Sequence, residues 1–151
     1  MTTTYQRETF AEAYPDAKPL LEKHWEELNT SHGEPFNANL AVYEYTEKEG
    51  ALMIFTARDE GKLIGYSAVF IHQGLHCMGQ KQATQDVFYV SPEHRGGMVG
   101  TRLIHTAEKH LKEAGVELMM HHSNIKNMLL GKLLEALGYE PIAVNYQRRL
   151  G

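Results

Sequence analysis

The stretch best suited to chemistry runs Val87-Phe88-Tyr89-Val90-Ser91-Pro92-Glu93-His94-Arg95-Gly96-Gly97-Met98-Val99-Gly100-Thr101. Strand-forming residues lead into a proline, then into Gly96, Gly97 and Gly100, and then into the most amphipathic helical pattern of the chain. The first turn of a helix has unpaired N–H groups and a partial positive charge, so the backbone there can hold an anion. The glycines would let a bulky phosphate approach the main chain, and Arg95 adds a fixed charge. The same glycines also suit a tight strand-to-helix turn with no ligand, and spacing alone leaves both readings open. Two common phosphate loops are excluded, since the stretch has neither Gly-Lys-Ser/Thr nor Gly-x-Gly-x-x-Gly.

Proton-transfer candidates lie close by. Period-two alternation puts Thr84, Asp86 and Phe88 on one face of the preceding strand. A carboxylate there, in a partly buried cleft, makes Asp86 the first candidate for a general base. Pairing of Asp86 with a nearby Arg or Lys is the competing reading. His121 and His122 end the following strand and are the next candidates, because imidazole titrates near neutrality. Glu93 reads as loop decoration. His72, His76 and Cys77 cluster in sequence, but there is no His-Glu-x-x-His and no cysteine pair, so no metal site is expected. Cys77 has no activating base beside it and is not expected to be a nucleophile.

These residues need a scaffold. The N-terminal third reads as helical: after Pro15-Asp16, Leu20, Leu21, His24, Trp25 and Leu28 fall on one face. That stripe is expected to pack on a sheet, with Trp25 and Glu22 or Glu26 as candidates for acceptor contacts. Asn29–Asn39, with Gly33 and Pro35, ends the helix in a loop or a short further helix. Ala51–Arg58 and Leu63–His72 form a hairpin about a turn at Arg58–Lys62. A loop over Gln73–Lys81 leads to a strand over Gln82–Val90. Val99, Leu103, Ala107, Leu111 and Ala114 mark a helix closed by Gly115. Val116–Met120 reads as a buried strand, Met128–Leu137 as a helix closed by Gly138, and Tyr139–Arg149 as a final strand. The expected architecture is one α/β (α+β) domain over 1–151: a mixed, mostly antiparallel sheet with helices on both faces.

Composition bounds the function. The chain has 151 residues, 42% hydrophobic and 23% charged, with formal net charge −4, values ordinary for a globular protein. No block of Lys or Arg offers a phosphate backbone a grip, so nucleic acid is not an expected partner. The single cysteine excludes an internal disulfide and suits a reducing compartment. With no leader-like apolar segment near the N-terminus and no run long enough to span a bilayer, the expectation is a cytoplasmic protein with no membrane partner.

The motif around Arg95 resembles motif A of the GCN5-related N-acetyltransferase (GNAT) superfamily. That motif is a strand ending in Val-x-Pro, followed by Arg/Gln-x-x-Gly-x-Gly/Ala and a helix. Counted from Arg95, the glycine positions become Met98 and Gly100, and a non-glycine at Met98 fits if the backbone there is already helical. Asn127, ahead of Gly138-Tyr139, is similar to the family's Asn…Gly-Phe pattern. The resemblance covers Leu63 to about Pro141 and implies the GNAT fold and acetyl-CoA (coenzyme A) as acyl donor.

By that likeness the donor would lie between two splayed parallel strands, Gln82–Val90 and Val116–Met120. Phe88, Tyr89 and Val90 would contact its pantetheine arm, and a backbone N–H among them would polarise the thioester carbonyl. Gly96, Gly97, Met98, Val99, Gly100 and Thr101 would hold the pyrophosphate beside Arg95, with Asn127 across the arm. Some relatives carry a catalytic carboxylate one register earlier than Asp86, where this chain has Thr84. A primary amine must lose a proton first, which at pH 7 costs ~4.6 kcal/mol, so a base is useful. The departing thiolate lies only ~2 kcal/mol from neutrality, so an acid is more dispensable. Many relatives place a tyrosine acid where this chain has Leu134, and neither Tyr139 nor Tyr146 is assigned that role. The reading is an N-acetyltransferase acting on a small-molecule or peptide amine in a ternary complex. Relatives often form homodimers. Met98 and Leu134 leave a non-catalytic ligand-binding module as the alternative.

Overall fold

The computed structural model describes residues 2–28 and 33–151. Their frame is a five-stranded sheet in the order β1-β2-β3-β4-β5. The strands are β1 (Thr3–Glu8), β2 (Leu52–Asp59), β3 (Lys62–Gln73), β4 (Lys81–Val90) and β5 (Leu118–Met120). The first four pair antiparallel, and β5 joins β4 in parallel. Four helices cover it: α1 (Phe10–Leu28), α2 (Leu40–Lys48), α3 (Val99–Glu113) and α4 (Leu129–Ala136).

Alternation along the strands builds a core on each face of the sheet. Met53, Phe55 and Val69 face α3, where Val99, Leu103, Ala107 and Leu111 cover them. Leu52, Ile54 and Ala68 face the other way, against Phe10 and Ala13 of α1. Each fully buried side chain of this size contributes roughly 1.5–3 kcal/mol. The expected sheet with helices on both faces is therefore what forms. The β2–β3 hairpin turns at Glu60 (φ 50°) and Gly61 (φ 84°), and positive φ at both central residues is the type I′ geometry that matches strand twist.

Several expectations need correction. Thr3–Glu8 is a strand, not part of a helical third. α1 begins at Phe10, ahead of both its prolines, because Thr9 and Glu12 close a reciprocal cap: Glu12 N–H donates to Thr9 Oγ1 and Thr9 N–H to Glu12 Oε1. The expected break at Asn29–Asn39 lies partly outside the described residues. Its later part ends at Asn39, whose side chain accepts from Val42 N–H and starts α2. β5 is shorter than Val116–Met120 and is a half-exposed sheet edge, not a buried strand. The expected last strand over Tyr139–Arg149 does not form; no residue after Ala136 lies in a helix or strand.

The fourth strand holds the correction that matters most for the site. Ala68 pairs with Val87 and Val69 with Gln85, so Asp86 is an extra residue without a partner on β3. This β-bulge breaks the expected alternation. Asp86 stays on the α1/α2 face, where it meets Tyr43. Phe88, expected beside it, instead packs with Val90 on the α3 core. Thr84, Asp86 and Phe88 do not share a face.

Candidate active site

β4 and β5 pair only from Gln82↔Leu118 to Thr84↔Met120 and then part. Beyond that point Gln85 reaches across, its Nε2 donating to the His122 carbonyl at 3.3 Å. The parted strands open a cavity of about 520 Å³, within the range of small-molecule sites. Its walls include Asp86 to Val90 of β4, Arg95 to Gly97, Gly100, His122, Asn127 and Leu133. Ser91 N–H donates to the Ile64 carbonyl on β3 at 2.8 Å. Alternation then directs the Val90 and Phe88 amides toward the opposite edge, the side β5 has left.

The cavity ends at the entrance of α3. A single 3₁₀ turn, Pro92–His94, leads to Arg95 and to Gly96 at φ 86°, a left-handed conformation that favours glycine. The helical ladder opens with Arg102 N–H donating to the Met98 carbonyl at 2.9 Å. The amides of Val99, Gly100 and Thr101 precede it, and no side chain caps them. Met98 sits at φ −94°, ψ −1°, a conformation open to any residue, so its departure from glycine leaves the loop intact. At Gly100 a Cβ would lie 3.0 Å from Leu133 Cδ2 and 3.8 Å from Phe88 Cζ. Glycine here lets α3, α4 and β4 converge beside the cavity.

Arg95 is more restrained than a free phosphate clamp. Its Nε donates to the Val90 carbonyl at 2.6 Å, and its Nη2 to both Glu27 oxygens at 3.1 Å. Its guanidinium also lies 5.2 Å from the Tyr89 ring. The side chain thus ties the loop to β4 and α1, and Glu27 largely matches its charge. What positive character this end retains comes mainly from main-chain amides and the helix dipole.

Of the expected donor-binding residues, Phe88, Tyr89, Val90, Arg95, Gly96, Gly97, Gly100 and Asn127 line the cavity, whereas Met98, Val99 and Thr101 do not. Asn127 Oδ1 accepts from Leu129 N–H at 3.3 Å, at the start of α4. Asp86 lines the cavity, and Tyr43 is its one hydrogen-bond partner among the described residues, with the phenol donating at 2.5 Å. The competing pairing with Arg or Lys does not occur among them. Burial and this hydrogen bond push the Tyr43 phenol up, so it remains a donor at neutral pH.

The two histidines separate. His122 lines the cavity, but His121 does not. His121 Nδ1 meets Gln85 Oε1 at 2.7 Å, and its ring stands edge-on to Tyr139. Burial, and then His122, lower its pKa to about 4, leaving a neutral imidazole and a weak base. Tyr139 is no acid for the cavity: its phenol donates to Glu108 at 2.6 Å. Leu134 is buried and Tyr146 exposed.

Sequence reasoning missed three residues. His24 and Glu27 of α1 line the cavity, while Trp25 turns away to give its indole N–H to the Glu34 carbonyl at 2.7 Å. The His24 ring lies 4.9 Å from that of Tyr89, tilted by 37°, and burial lowers its pKa to about 4. The available signal was helical spacing, since positions 24, 27 and 28 share one face. Tyr43 gave no local signal, because its role rests on a contact with Asp86, far away in sequence. No group of three or more potential metal ligands occurs among the described residues, and no helix there is long and apolar enough to cross a membrane.

A strand parted from its parallel neighbour beside a glycine-rich helix entrance is the arrangement that the resemblance to the GNAT superfamily implies. The model of the Acetyltransferase (GNAT) family matches residues 7–139, and the chain belongs to that family. A comparison with curated protein sequences gives no match. Among solved structures, the fold is similar to a ribosomal-protein-alanine N-acetyltransferase from Brucella melitensis biovar Abortus 2308. The TM-score is 0.76 and the identity 19%, covering 99% of this chain and 100% of that one. It is also similar to an aminoglycoside acetyltransferase from an uncultured soil metagenomic sample, solved with trehalose (TM-score 0.80, identity 13%, covering 99% and 97%). A third relative in fold is AAC(6')-Iy, solved with the bisubstrate analogue CoA-S-monomethyl-acetylneamine (TM-score 0.77, identity 21%, covering 99% and 100%).

Proposed function

We propose that this chain is an acetyl-CoA-dependent N-acetyltransferase that passes the acyl group directly to a primary amine, both substrates being held at once. The observation that carries this reading is the cavity itself. It opens where β4 leaves β5, runs to Gly100 in the uncapped first turn of α3 and is lined by Asp86. Acetyl-CoA, when bound, supplies an activated acyl thioester and a diphosphate anion.

The chain's own groups fit that donor at both ends. The amides of Val99 to Thr101 would hold the diphosphate, and Gly96 and Gly97 keep the approach clear. The Val90 or Phe88 amide would donate to the thioester carbonyl as negative charge grows on its oxygen. Asp86 would take a proton from the substrate ammonium, directly or through one water, freeing the amine lone pair that attacks, while Tyr43 holds the carboxylate in place. His24 and Glu27 would face the acceptor. No side chain in this reading supplies an acid for the thiolate, the more dispensable partner on energetic grounds. The whole chain is read as one such domain, and its lone exposed cysteine fits a reducing cytoplasm.

Calorimetric titration with acetyl-CoA, then free-thiol release against polyamines, aminoglycosides and peptide amines, tests the reading. Binding with thiol release for at least one amine supports it. No affinity at millimolar donor would overturn it. Binding without release for any amine would favour the non-catalytic module, a reading to which the buried Leu134 lends weight.

A further inference from the structure

The last rung shared by β4 and β5 is Thr84↔Met120, so the next pair in that register is Gln85 and His121. At this point the main chains stop pairing and two side chains take over. His121 Nδ1 lies 2.7 Å from Gln85 Oε1, and Gln85 Nε2 donates to the His122 carbonyl at 3.3 Å. Gln85 also lines the cavity, yet it is only 4% exposed, the longest buried polar side chain among the described residues. A buried amide is tolerated where its donors and acceptors are matched, and both ends of this one are.

The pair has one self-consistent arrangement. Turned over, Gln85 would set its carbonyl oxygen against that of His122, acceptor against acceptor. With the amide as it stands, Oε1 needs a proton from His121. Burial keeps that ring neutral, so it carries a single N–H, and Nδ1 must hold it. Tyr139 braces the ring edge-on, and its phenol is tied to Glu108 of α3. Gln85 itself is fixed from the other side, where its backbone pairs with Val69 of β3.

We propose that Gln85 is a positioning residue: its side-chain amide clasps β5 at the first lost rung and fixes the width of the gap that the Phe88 and Val90 amides face. β5 has three residues, so its own ladder is a short hold, and a clasp at its open end is a large part of what keeps it in place. A gap free to widen or narrow would present the donor's carbonyl to those amides in several geometries. Misplacement by about 1 Å is enough to cost roughly 100-fold in rate. The kinetic consequence rests on the transferase reading; the clasp itself does not.

Gln85→Met keeps the length of the side chain and removes both bonds. In the free variant, amide hydrogens across Gln82–Thr84 and Leu118–Met120 are expected to exchange at least about tenfold faster than in the parent, with those of the β2–β3 hairpin unchanged. Well below the melting temperature, the Kd for acetyl-CoA is expected to rise and kcat to fall, each about tenfold, while KM for the amine stays within about twofold. Nitrogen-15 NMR of the parent at neutral pH is expected to show His121 with its proton on Nδ1, a readout that stands even if the variant fails to fold. A proton on Nε2 would overturn the proposal. So would unchanged exchange in a folded variant, or faster exchange with donor affinity and kcat untouched, the mark of a merely structural bond. A parent that binds no acetyl-CoA would remove the transferase reading alone, and the exchange and tautomer results would then decide for or against the clasp.

Discussion

Two carboxylates hang from the same sheet, Glu8 at the end of β1 and Asp86 in the bulge of β4, and their surroundings are opposite. Glu8 is wrapped. Arg58 reaches it with Nε at 2.8 Å and Nη2 at 2.9 Å, Thr56 donates its hydroxyl, and Gln6 adds its amide at 3.4 Å. Asp86 has Tyr43 and a cavity. A carboxylate whose oxygens are already engaged can only hold structure together. One with spare acceptor capacity facing an opening can also take a proton. Placement on a strand does not separate the two roles; the number of donors around each does.

Replacing each acid's surroundings should give mirror-image results. The largest effect is expected for Asp86→Ala: a fall in kcat of roughly 10²–10⁴-fold, with acetyl-CoA affinity and melting temperature little changed. Steady-state kinetics beside a thermal melt decide it, and an unaltered kcat removes Asp86 as the base. Next comes Arg58→Ala, expected to cost about 2–3 kcal/mol of stability because it leaves Glu8 half-buried without its cation, while kcat is retained. The Arg58 hydrogen bond, foremost among its partners, holds Glu8 below the usual carboxylate range. That stability is full above the ordinary Glu value and is lost as pH falls through the depressed one. Urea unfolding at neutral pH reads the loss, and unchanged stability would mean the pair is idle.

The smallest effect comes from two half-buried imidazoles, His24 in the cavity wall and His121 behind it. His24 and His121 titrate at about 4 in the fold, against about 6.5 unfolded, with burial the leading cause for both. A group with a lowered imidazole pKa binds protons better when unfolded, so stability falls as pH drops from 6.5 toward 4. By pH 5 the expected loss is about 2 kcal/mol each. His24→Asn or His121→Asn should flatten that limb of a melting-temperature profile, and a parent already flat from pH 7 to 5 would rule it out.

Most of the scaffold and the donor end of the site were legible in the sequence. Gly96, Gly100 and the stripe of α3 are local signals, since positive φ and helical period are written in neighbouring residues. The hairpin at Glu60-Gly61 was legible for the same reason. β1 was not, because Thr3–Glu8 is polar and becomes a strand only by pairing with β2, some fifty residues away. The exit of Phe88 from the face of Asp86 was equally hidden. A bulge is a property of two strands in register, and one strand read alone shows unbroken alternation. His121 and His122 illustrate a third limit: adjacent and alike in sequence, they are divided by where β5 ends and the cavity begins.

The unpartnered residue in β4 acts as a phase shift in the strand. Ahead of it the odd positions Ala83 and Gln85 point toward α3; behind it the even positions Phe88 and Val90 do. If the same residues alternated strictly, without the bulge, the Tyr89 ring would be pushed into the hydrophobic interior and Phe88 and Val90 turned out of it. One inserted position thus lets a single strand serve as core wall along one stretch and as substrate wall along the next, without altering either helix that flanks it.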